Sequence, residues 1–323
     1  MKRVAIVAAV IGILVIAGAI WAADPLAVAA AVATAGWSTF IVIGVRAVSV
    51  SAAGLCWWLL IPRAQSPQLW VSALLRIVRE GGNTLLPLTQ IGGDVISVRL
   101  LTFWGLAGSL ASASVIVDVL LQAVTQFIFA LTALGLLALS GSSDAFVHDA
   151  GIALLFAVPA LAGFYIVQRQ WGEALVSALL RRLARGQEWA VHGTVDALFQ
   201  NLHAIYERRG TLTAALVGHL VVWFFGALEV WVALTAMGYA IDLRTAIVIE
   251  GLAQAARGAA FMVPGAVGVQ EGGLIILCGL FGIQAQSALA LSLIKRAADI
   301  AVGGPGLIAW HVLETSRLAK KKP

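Results

Sequence analysis

Two short glycine-rich motifs combine residue types that could hold a polar ligand inside an apolar segment. They read LPLTQIGGD over Leu86–Asp94 and VPGAVGVQEGG over Val263–Gly273, each with a proline, a glutamine, a glycine pair and one carboxylate. Proline removes a backbone donor and glycine loosens a helix. Backbone groups freed in a bilayer must be buried in protein or line a wet cavity. The motifs therefore predict a polar site in a membrane where two segments are broken.

The residues after each break are expected to start new half-helices, at Gly92 and Gly272. Exposed N–H groups at a helix start favour anions such as phosphate, and glycine lets a head group approach the backbone. Arg99, Arg257 and Lys295 are expected to hold an anionic head group. The predicted ligand-binding residues are Gln90, Gly92, Gly93, Asp94, Arg99, Asp118, Gln122, Arg257, Pro264, Gly268, Gln270, Glu271, Gly272, Gly273, Lys295, Arg296 and Asp299.

The carboxylates of the motifs leave two interpretations open. Asp94 and Glu271 either couple transport to protonation beside the head group, or serve only as N-caps or first-turn acids. Asp118 and Gln122 lie four residues apart near the middle of a long apolar span. That polar stripe either joins helices or lines the path of a substrate.

Charged side chains at membrane depth are functional candidates, because inserting each one costs about 2.5–3.5 kcal/mol. They are Arg46, Asp94, Arg99, Asp118, Glu229, Glu250, Arg257, Glu271, Lys295, Arg296 and Asp299. Spacing on one helical face predicts three ion pairs, which are Lys295 with Asp299, Glu250 with Arg257, and Arg76 with Glu80. The alternative role for such pairs is to fix the packing of the bundle.

The composition is that of an integral membrane protein. Of the 323 residues, 61% are hydrophobic and 11% are charged, against about 25% charged in soluble domains. Long apolar runs favour an all-α polytopic bundle over a β-barrel. The net charge of +5 follows topology and does not suggest nucleic acid, and two cysteines form no disulfide framework or metal spacing. We expect no cofactor.

The apolar spans predict the topology. Full crossings are expected at about 4–22, 36–61, 102–138, 151–168, 212–237 and 286–311, with broken regions at 69–100 and 245–284. The broken regions are either re-entrant half-helices in two inverted halves or pairs of full crossings, which charge counting cannot separate. The predicted organisation is a first half over 1–168, a connector over 169–210, a second half over 211–315 and a basic tail over 316–323.

The distribution of lysine and arginine predicts the orientation. Basic residues lie before the first predicted crossing, after the second, between the fourth and fifth, and after the last, and they are nearly absent from the other loops. Both termini are therefore expected in the cytoplasm. Within the connector, apolar residues recur at helical spacing over 170–210. This pattern predicts two amphipathic helices on the cytoplasmic membrane surface, or alternatively a solvated link between the halves.

The motif residues also resemble a known family. LPLTQIGGDVISVRLL over Leu86–Leu101 and the motif at Val263–Gly273 resemble the two signatures of the lysylphosphatidylglycerol synthase transmembrane-region family of flippase-like proteins. The stretch ASASVIVDVLLQAVTQ over Ala111–Gln126 resembles the subgroup associated with hopanoid biosynthesis. The resemblance covers about 1–315. It implies movement of a lipid between leaflets without the aminoacyl-transferase domain of the full-length synthases.

The expected function is therefore translocation of a lipid or polyprenyl-linked head group in a bacterial inner membrane. The expected partners are a membrane lipid (phospholipid, hopanoid or polyprenyl-linked) and, for an accessory role, lipid-biosynthesis proteins. The first alternative is a non-catalytic accessory or scaffold protein of a lipid-biosynthesis complex. The second is a membrane-embedded enzyme, but the scattered histidines show no catalytic arrangement. We expect no enzymatic activity.

Overall fold

The computed structural model describes residue 21 and residues 24–86, 91–140, 144–168, 188–260, 263 and 266–320. This part of the chain is almost entirely α-helical and contains no strand, which confirms the predicted all-α membrane bundle. The helices in chain order are α1 (Pro25–Ala35), α2 (Ser38–Leu60), α3 (Leu69–Thr84), α4 (Gly92–Leu101), α5 (Gly108–Leu139), α6 (Asp144–Leu155), α7 (Ala157–Val167), α8 (Glu188–Glu207), α9 (Arg209–Ala236), α10 (Leu243–Ala259), α11 (Val269–Gly279) and α12 (Ala285–Lys320).

Four stretches of the described residues are long and apolar enough to cross a membrane. They are α2, α5, the Ala145–Val167 stretch of α6 and α7, and α9. They match the predicted spans 36–61, 102–138, 151–168 and 212–237, with two shifts of six residues. The span predicted at 102–138 starts at Gly108, because the preceding 3₁₀ turn ends at Gly105 in the left-handed region (φ 86°). The span predicted at 151–168 starts at Ala145. The predicted span 4–22 lies almost wholly outside the described residues.

The two broken regions each form two short helices. The region 69–100 contains α3 with 16 residues and α4 with 10 residues. The region 245–284 contains α10 with 17 residues and α11 with 11 residues. A straight helix needs about 20 residues to cross the hydrocarbon core, so each is short for a crossing of its own. The breaks are confirmed, and the re-entrant path stays a prediction.

The helices pack in a pattern that repeats between the two halves. Helix α2 lies along α9, α3 packs on α12, and α10 packs on α5. In addition, α2 contacts α12 while α9 contacts α5. These contacts are preserved when α2 is exchanged with α9, α3 with α10, α4 with α11 and α5 with α12. Such an exchange is what two related halves produce, and their inversion stays a prediction.

Glycines let the α3 backbone approach its neighbours. A Cβ on Gly81 would collide with the carbonyl oxygen of Gly303 in α12, and a Cβ on Gly303 would lie 2.8 Å from Gly81 Cα. A Cβ on Gly82 would lie 2.7 Å from Gly93 Cα at the start of α4. The helices on either side of the first break are therefore held by direct backbone packing.

Helix α8 accounts for the described part of the connector. Its apolar residues Val195, Phe199, Leu202 and Ile205 are buried in the same core cluster as residues of α5. The helical apolar pattern of 188–207 thus covers protein. The cytoplasmic location stays a prediction, and the first predicted amphipathic helix falls outside the described residues.

Candidate functional site

Charged side chains meet between the helices in two places, and the first centres on Asp118. This carboxylate on α5 is fully buried. Its Oδ1 lies 2.8 Å from Nε2 of His219 on α9. Its Oδ2 accepts hydrogen bonds from Arg79 at 2.5 Å, from Gln122 at 2.6 Å and from Arg76 at 3.5 Å. We call these five residues the Asp118 cluster; it joins α3, α5 and α9.

The Asp118 cluster extends to the first motif. Arg79 also pairs with Asp94 in the first turn of α4. The N–H of Gly93 donates to Asn83 Oδ1 at 2.7 Å, and Asn83 Nδ2 donates to Asp94 at 3.5 Å. The predicted helix start at Gly92 is confirmed. The Gly93 N–H already has its acceptor on α3, so it is not free to bind an anion.

The second meeting place centres on Lys295 of α12, which is 2% exposed. Its Nζ lies 3.0 and 2.9 Å from the two carboxylate oxygens of Glu250 and 3.2 Å from Glu229 Oε2. Glu250 and Glu229 belong to α10 and α9. Lys295 therefore pairs between helices, and the predicted same-face pair with Asp299 is wrong.

Asp299 instead lies between two arginines. Its Oδ1 is 3.6 Å from Arg46 Nη1, and its Oδ2 is 3.8 Å from Arg257 Nη2. Arg46 is held more closely by Glu229, at 2.8 Å. The predicted pair of Arg257 with Glu250 is wrong as well. Both errors have one physical reason: helix spacing brings Cβ atoms near each other, but in a packed bundle long side chains reach neighbouring helices.

A chain of hydrogen bonds crosses the second motif with an arginine at each end. Arg257 Nη1 donates to Gln270 Oε1 at 3.2 Å, and Gln270 Nε2 donates to Ser292 Oγ at 3.0 Å. The Ser292 hydroxyl donates to Glu271 Oε1 at 2.9 Å, and Arg296 Nε donates to the same oxygen at 2.8 Å. Four of its five members were predicted from sequence. Helices α10, α11 and α12 are thereby joined.

Glu271 also caps its own helix. The Gly268 N–H donates to Glu271 Oε2 at 2.7 Å, and α11 begins at Val269 after Gly268 turns the chain at φ 85°. The predicted half-helix start at Gly272 is wrong. The Gly272 N–H donates to the Gly268 carbonyl at 3.0 Å inside the helix, so it does not face an anion. A Cβ on Gly272 would meet nothing within 4 Å, and a Cβ on Gly273 would lie 4.0 Å from Ala256 Cβ. Both positions therefore leave room for the close approach of a ligand.

Helix α10 carries Glu250 and Arg257, and its start is fixed by a cap. The Thr245 N–H donates to Asp242 Oδ1 at 2.8 Å. This hydrogen bond lowers the pKa of Asp242, which lies in the loop before the helix. A side-chain oxygen that accepts from the first turn satisfies a donor otherwise left without a partner.

We call the eight ionisable residues around Lys295 and the second motif the Lys295 cluster. It contains four basic and four acidic side chains: Arg46, Arg257, Lys295 and Arg296, with Glu229, Glu250, Glu271 and Asp299. The basic and acidic members are thus equal in number. At the second motif the Arg257 and Arg296 side chains are 12% and 21% exposed, whereas the side chain of Lys295 is 3% exposed.

One predicted ligand residue, Arg99, lies away from both clusters. Arg99 has a side chain that is 61% exposed and is bonded to Glu314 on α12. It therefore lies on a different surface from Arg257 and Lys295, the residues with which it was expected to hold an anion. Gln90 and Pro264 lie outside the described residues.

Several residues of the clusters were missed as site residues. Arg46, Glu229 and Glu250 stand out in the sequence as charges at membrane depth, but their partners are on distant helices. Arg79 was overlooked although it follows Arg76 by three residues on one helical face, which was an available signal. The predicted pair of Arg76 with Glu80 is present at 3.8 Å.

Comparison with known proteins identifies a family for this chain. A family model described as "Lysylphosphatidylglycerol synthase TM region" matches residues 9–304, a range that includes both motifs and both clusters. No curated protein and no solved structure matches the chain.

Proposed function

The chain belongs to the lysylphosphatidylglycerol synthase TM region family, and we propose on that basis that it binds the head group of a membrane lipid and moves it between the leaflets. The observation that carries this proposal is the Lys295 cluster. Eight ionisable side chains from five helices lie among apolar spans, beside the break between α10 and α11. Helices that only anchor a chain in a membrane need no such cluster of buried charges.

The energetic cost of burying these charges favours a functional role for the Lys295 cluster over a role in helix packing alone. Each charge at membrane depth costs about 2.5–3.5 kcal/mol on insertion scales, and well-packed apolar residues often replace buried ion pairs without loss of stability. Polar groups that persist inside a transporter mark the substrate path. The partial exposure of Arg257 and Arg296 at the second motif supplies cationic groups at the edge of that path.

We propose a polar lipid head group with a phosphate as the cargo, carried by a phospholipid, a hopanoid-related lipid or a polyprenyl carrier. The hopanoid link rests on the likeness of Ala111–Gln126, which contains Asp118 and Gln122 of the Asp118 cluster. We further propose that the chain acts without catalysing a chemical step and resides in a bacterial inner membrane with both termini in the cytoplasm.

Mass spectrometry of the lipids retained by the purified protein tests the binding part of this proposal. The wild type is compared with an Arg257→Ala/Glu271→Gln variant, and Arg99→Ala is the control because Arg99 lies outside both clusters. We expect one lipid class to be enriched over the bulk membrane in the wild type and in the control, and lost in the double variant.

A lipid profile equal to that of the bulk membrane in all three proteins would contradict lipid binding at the second motif. It would favour the accessory role in a biosynthesis complex, which tolerates substitution of both motifs.

A further inference from the structure

We infer that Asp299 competes with the phosphate of the substrate for the guanidinium of Arg257. In this inference, which rests on the proposed function, an arriving phosphate displaces Asp299 from Arg257, and Asp299 moves onto Arg46. The exchange leaves neither arginine without a partner. The ligand chemistry is that of a phosphate ester, whether it belongs to a lipid head group or to a free phosphate compound.

Asp299 is the most weakly attached carboxylate of the Lys295 cluster. Its oxygens lie 3.6 Å from Arg46 and 3.8 Å from Arg257, beyond the range of about 2.7–3.2 Å for an N–H···O hydrogen bond. The nearest donors of the other three carboxylates lie at 2.8 Å for Glu229, 2.8 Å for Glu250 and 2.7 Å for Glu271. Asp299 is therefore the carboxylate that a ligand displaces most easily.

Burial makes this weak attachment informative. Asp299 is 3% exposed, yet its Oδ1 accepts no hydrogen bond from the residues that the structure describes. The Nε of Arg46 likewise has no acceptor among those residues. Buried polar groups normally have partners. A shift of ~0.5–1 Å would bring Asp299 to hydrogen-bond distance from Arg46, so Arg46 offers this carboxylate a second partner nearby.

Arg257 is placed to accept the phosphate in exchange. It lies in the last turn of α10, its side chain is 12% exposed, and it contacts the second motif through Gln270. A guanidinium presents several donors in one plane and binds phosphate oxygens in pairs.

The equal number of basic and acidic side chains in the cluster gives this competition a consequence. Four basic side chains already face four carboxylates, so an arriving phosphate must compete with a carboxylate for its partner. Asp299 thereby keeps the phosphate weakly bound, and a transport site must release what it binds.

The test is a double-mutant cycle on the full-length protein in detergent. The proteins are the wild type, Asp299→Asn, Arg257→Ala and the double variant, with Asp149→Asn as a control. Asp149 is exposed on α6, and its substitution removes the same charge away from the cluster. The probes are dihexanoylphosphatidylglycerol, glycerol phosphate and phosphate-free dioctanoylglycerol, and the measurement is the Kd. Asp299→Ser serves as the second variant should Asp299→Asn not fold.

We expect Asp299→Asn to bind dihexanoylphosphatidylglycerol about tenfold more tightly than the wild type, a change of one Kd decade. The gain should vanish in the double variant, and Asp149→Asn should bind as the wild type does. A similar gain with glycerol phosphate assigns the site to phosphate alone, while a gain confined to the lipid assigns it to the head group with its chains. Both outcomes support the competition.

Three results would overturn the inference. Asp299→Asn could bind with the Kd of the wild type. The gain in affinity could be equally large in the double variant, which lacks Arg257, or equally large for dioctanoylglycerol, which lacks phosphate. The proposed function fails on a different readout, namely absence of lipid movement by the wild type.

Discussion

Asp118 on α5 and Asp299 on α12 lie at matching places in the helix packing but are held differently. Each contacts a helix of its own half and a helix of the other half, α3 and α9 for Asp118, α10 and α2 for Asp299. Asp118 has Arg79 at 2.5 Å and His219 at 2.8 Å, whereas the nearest nitrogen to Asp299 is at 3.6 Å. The first carboxylate therefore holds the bundle together, while the second is available for exchange.

The two aspartates should differ in their contribution to stability. Asp118→Asn leaves the cations of Arg76 and Arg79 facing a neutral side chain, and breaking a buried pair costs about 3–5 kcal/mol. Asp299→Asn should lower the unfolding temperature far less, because Arg46 keeps its closer contact with Glu229. Thermal unfolding of both variants in one detergent measures the difference. Equal losses of stability would contradict the assignment of Asp118 as the stronger attachment.

Lys295 should contribute strongly to the stability of the fold. Its replacement by methionine leaves the buried carboxylates of Glu229 and Glu250 facing each other without Nζ, and we expect a loss of about 3–5 kcal/mol. The matched control is Arg99→Ala, which breaks an exposed pair with Glu314 worth about 0–1 kcal/mol. The unfolding temperatures and the yield of monodisperse protein report the result. A Lys295→Met protein as stable as Arg99→Ala would show that the cluster is not a structural centre.

The glycine pairs of the two motifs should respond differently to alanine. A Cβ on Gly93 would collide with the carbonyl oxygen of Arg79, so Gly93→Ala should separate α3 from α4 and destabilise the protein. Gly272→Ala meets no atom within 4 Å and replaces a helical glycine, which favours folding by about 0.5–1 kcal/mol.

Lipid retention separates the roles of the two glycines further. A folded Gly272→Ala protein that no longer retains lipid would locate the ligand beside α11. A destabilised Gly272→Ala protein, or a Gly93→Ala protein with wild-type stability, would contradict the packing described for these helices.

Glu271→Gln should reduce lipid movement while the protein stays folded. Glutamine still offers an acceptor to the Gly268 N–H, as glutamine does in helix caps, but it removes the charge facing Arg296. Without that charge a phosphate should bind Arg296 more tightly and be released more slowly, so the rate should fall about tenfold. An unchanged rate at unchanged unfolding temperature would mean that the carboxylate only caps α11.

Local sequence patterns were sufficient for the helices and the breaks. Long apolar runs predict α2, α5 and α9 because a bilayer selects directly for length and hydropathy. Proline and glycine predict the breaks because their backbone chemistry is local. Two features escape these patterns. A left-handed Gly105 ends the 3₁₀ turn before α5, which therefore begins at Gly108 rather than 102. The apolar face of α8 packs on α5, a tertiary contact that its own spacing does not contain.

The composition of the clusters was only partly predictable. The motif residues Gln270 and Glu271 and the basic residues of α12 stand out by type. Their partners do not, because the contact of Arg46 with Glu229 joins residues 183 positions apart. Which side chains meet across such separations depends on the rotation and tilt of packed helices, which spacing along one helix does not contain.

The most direct test of the central claim is the rate at which fluorescent phosphatidylglycerol crosses the bilayer of reconstituted liposomes. A membrane-impermeant reductant bleaches the outer leaflet, and further loss of fluorescence reports lipid arriving from the inner one. We predict faster loss with the wild type than with protein-free liposomes, and a return to the protein-free rate with Arg257→Ala. Identical rates for wild-type and protein-free liposomes would contradict translocation of this lipid and leave the accessory role as the better account.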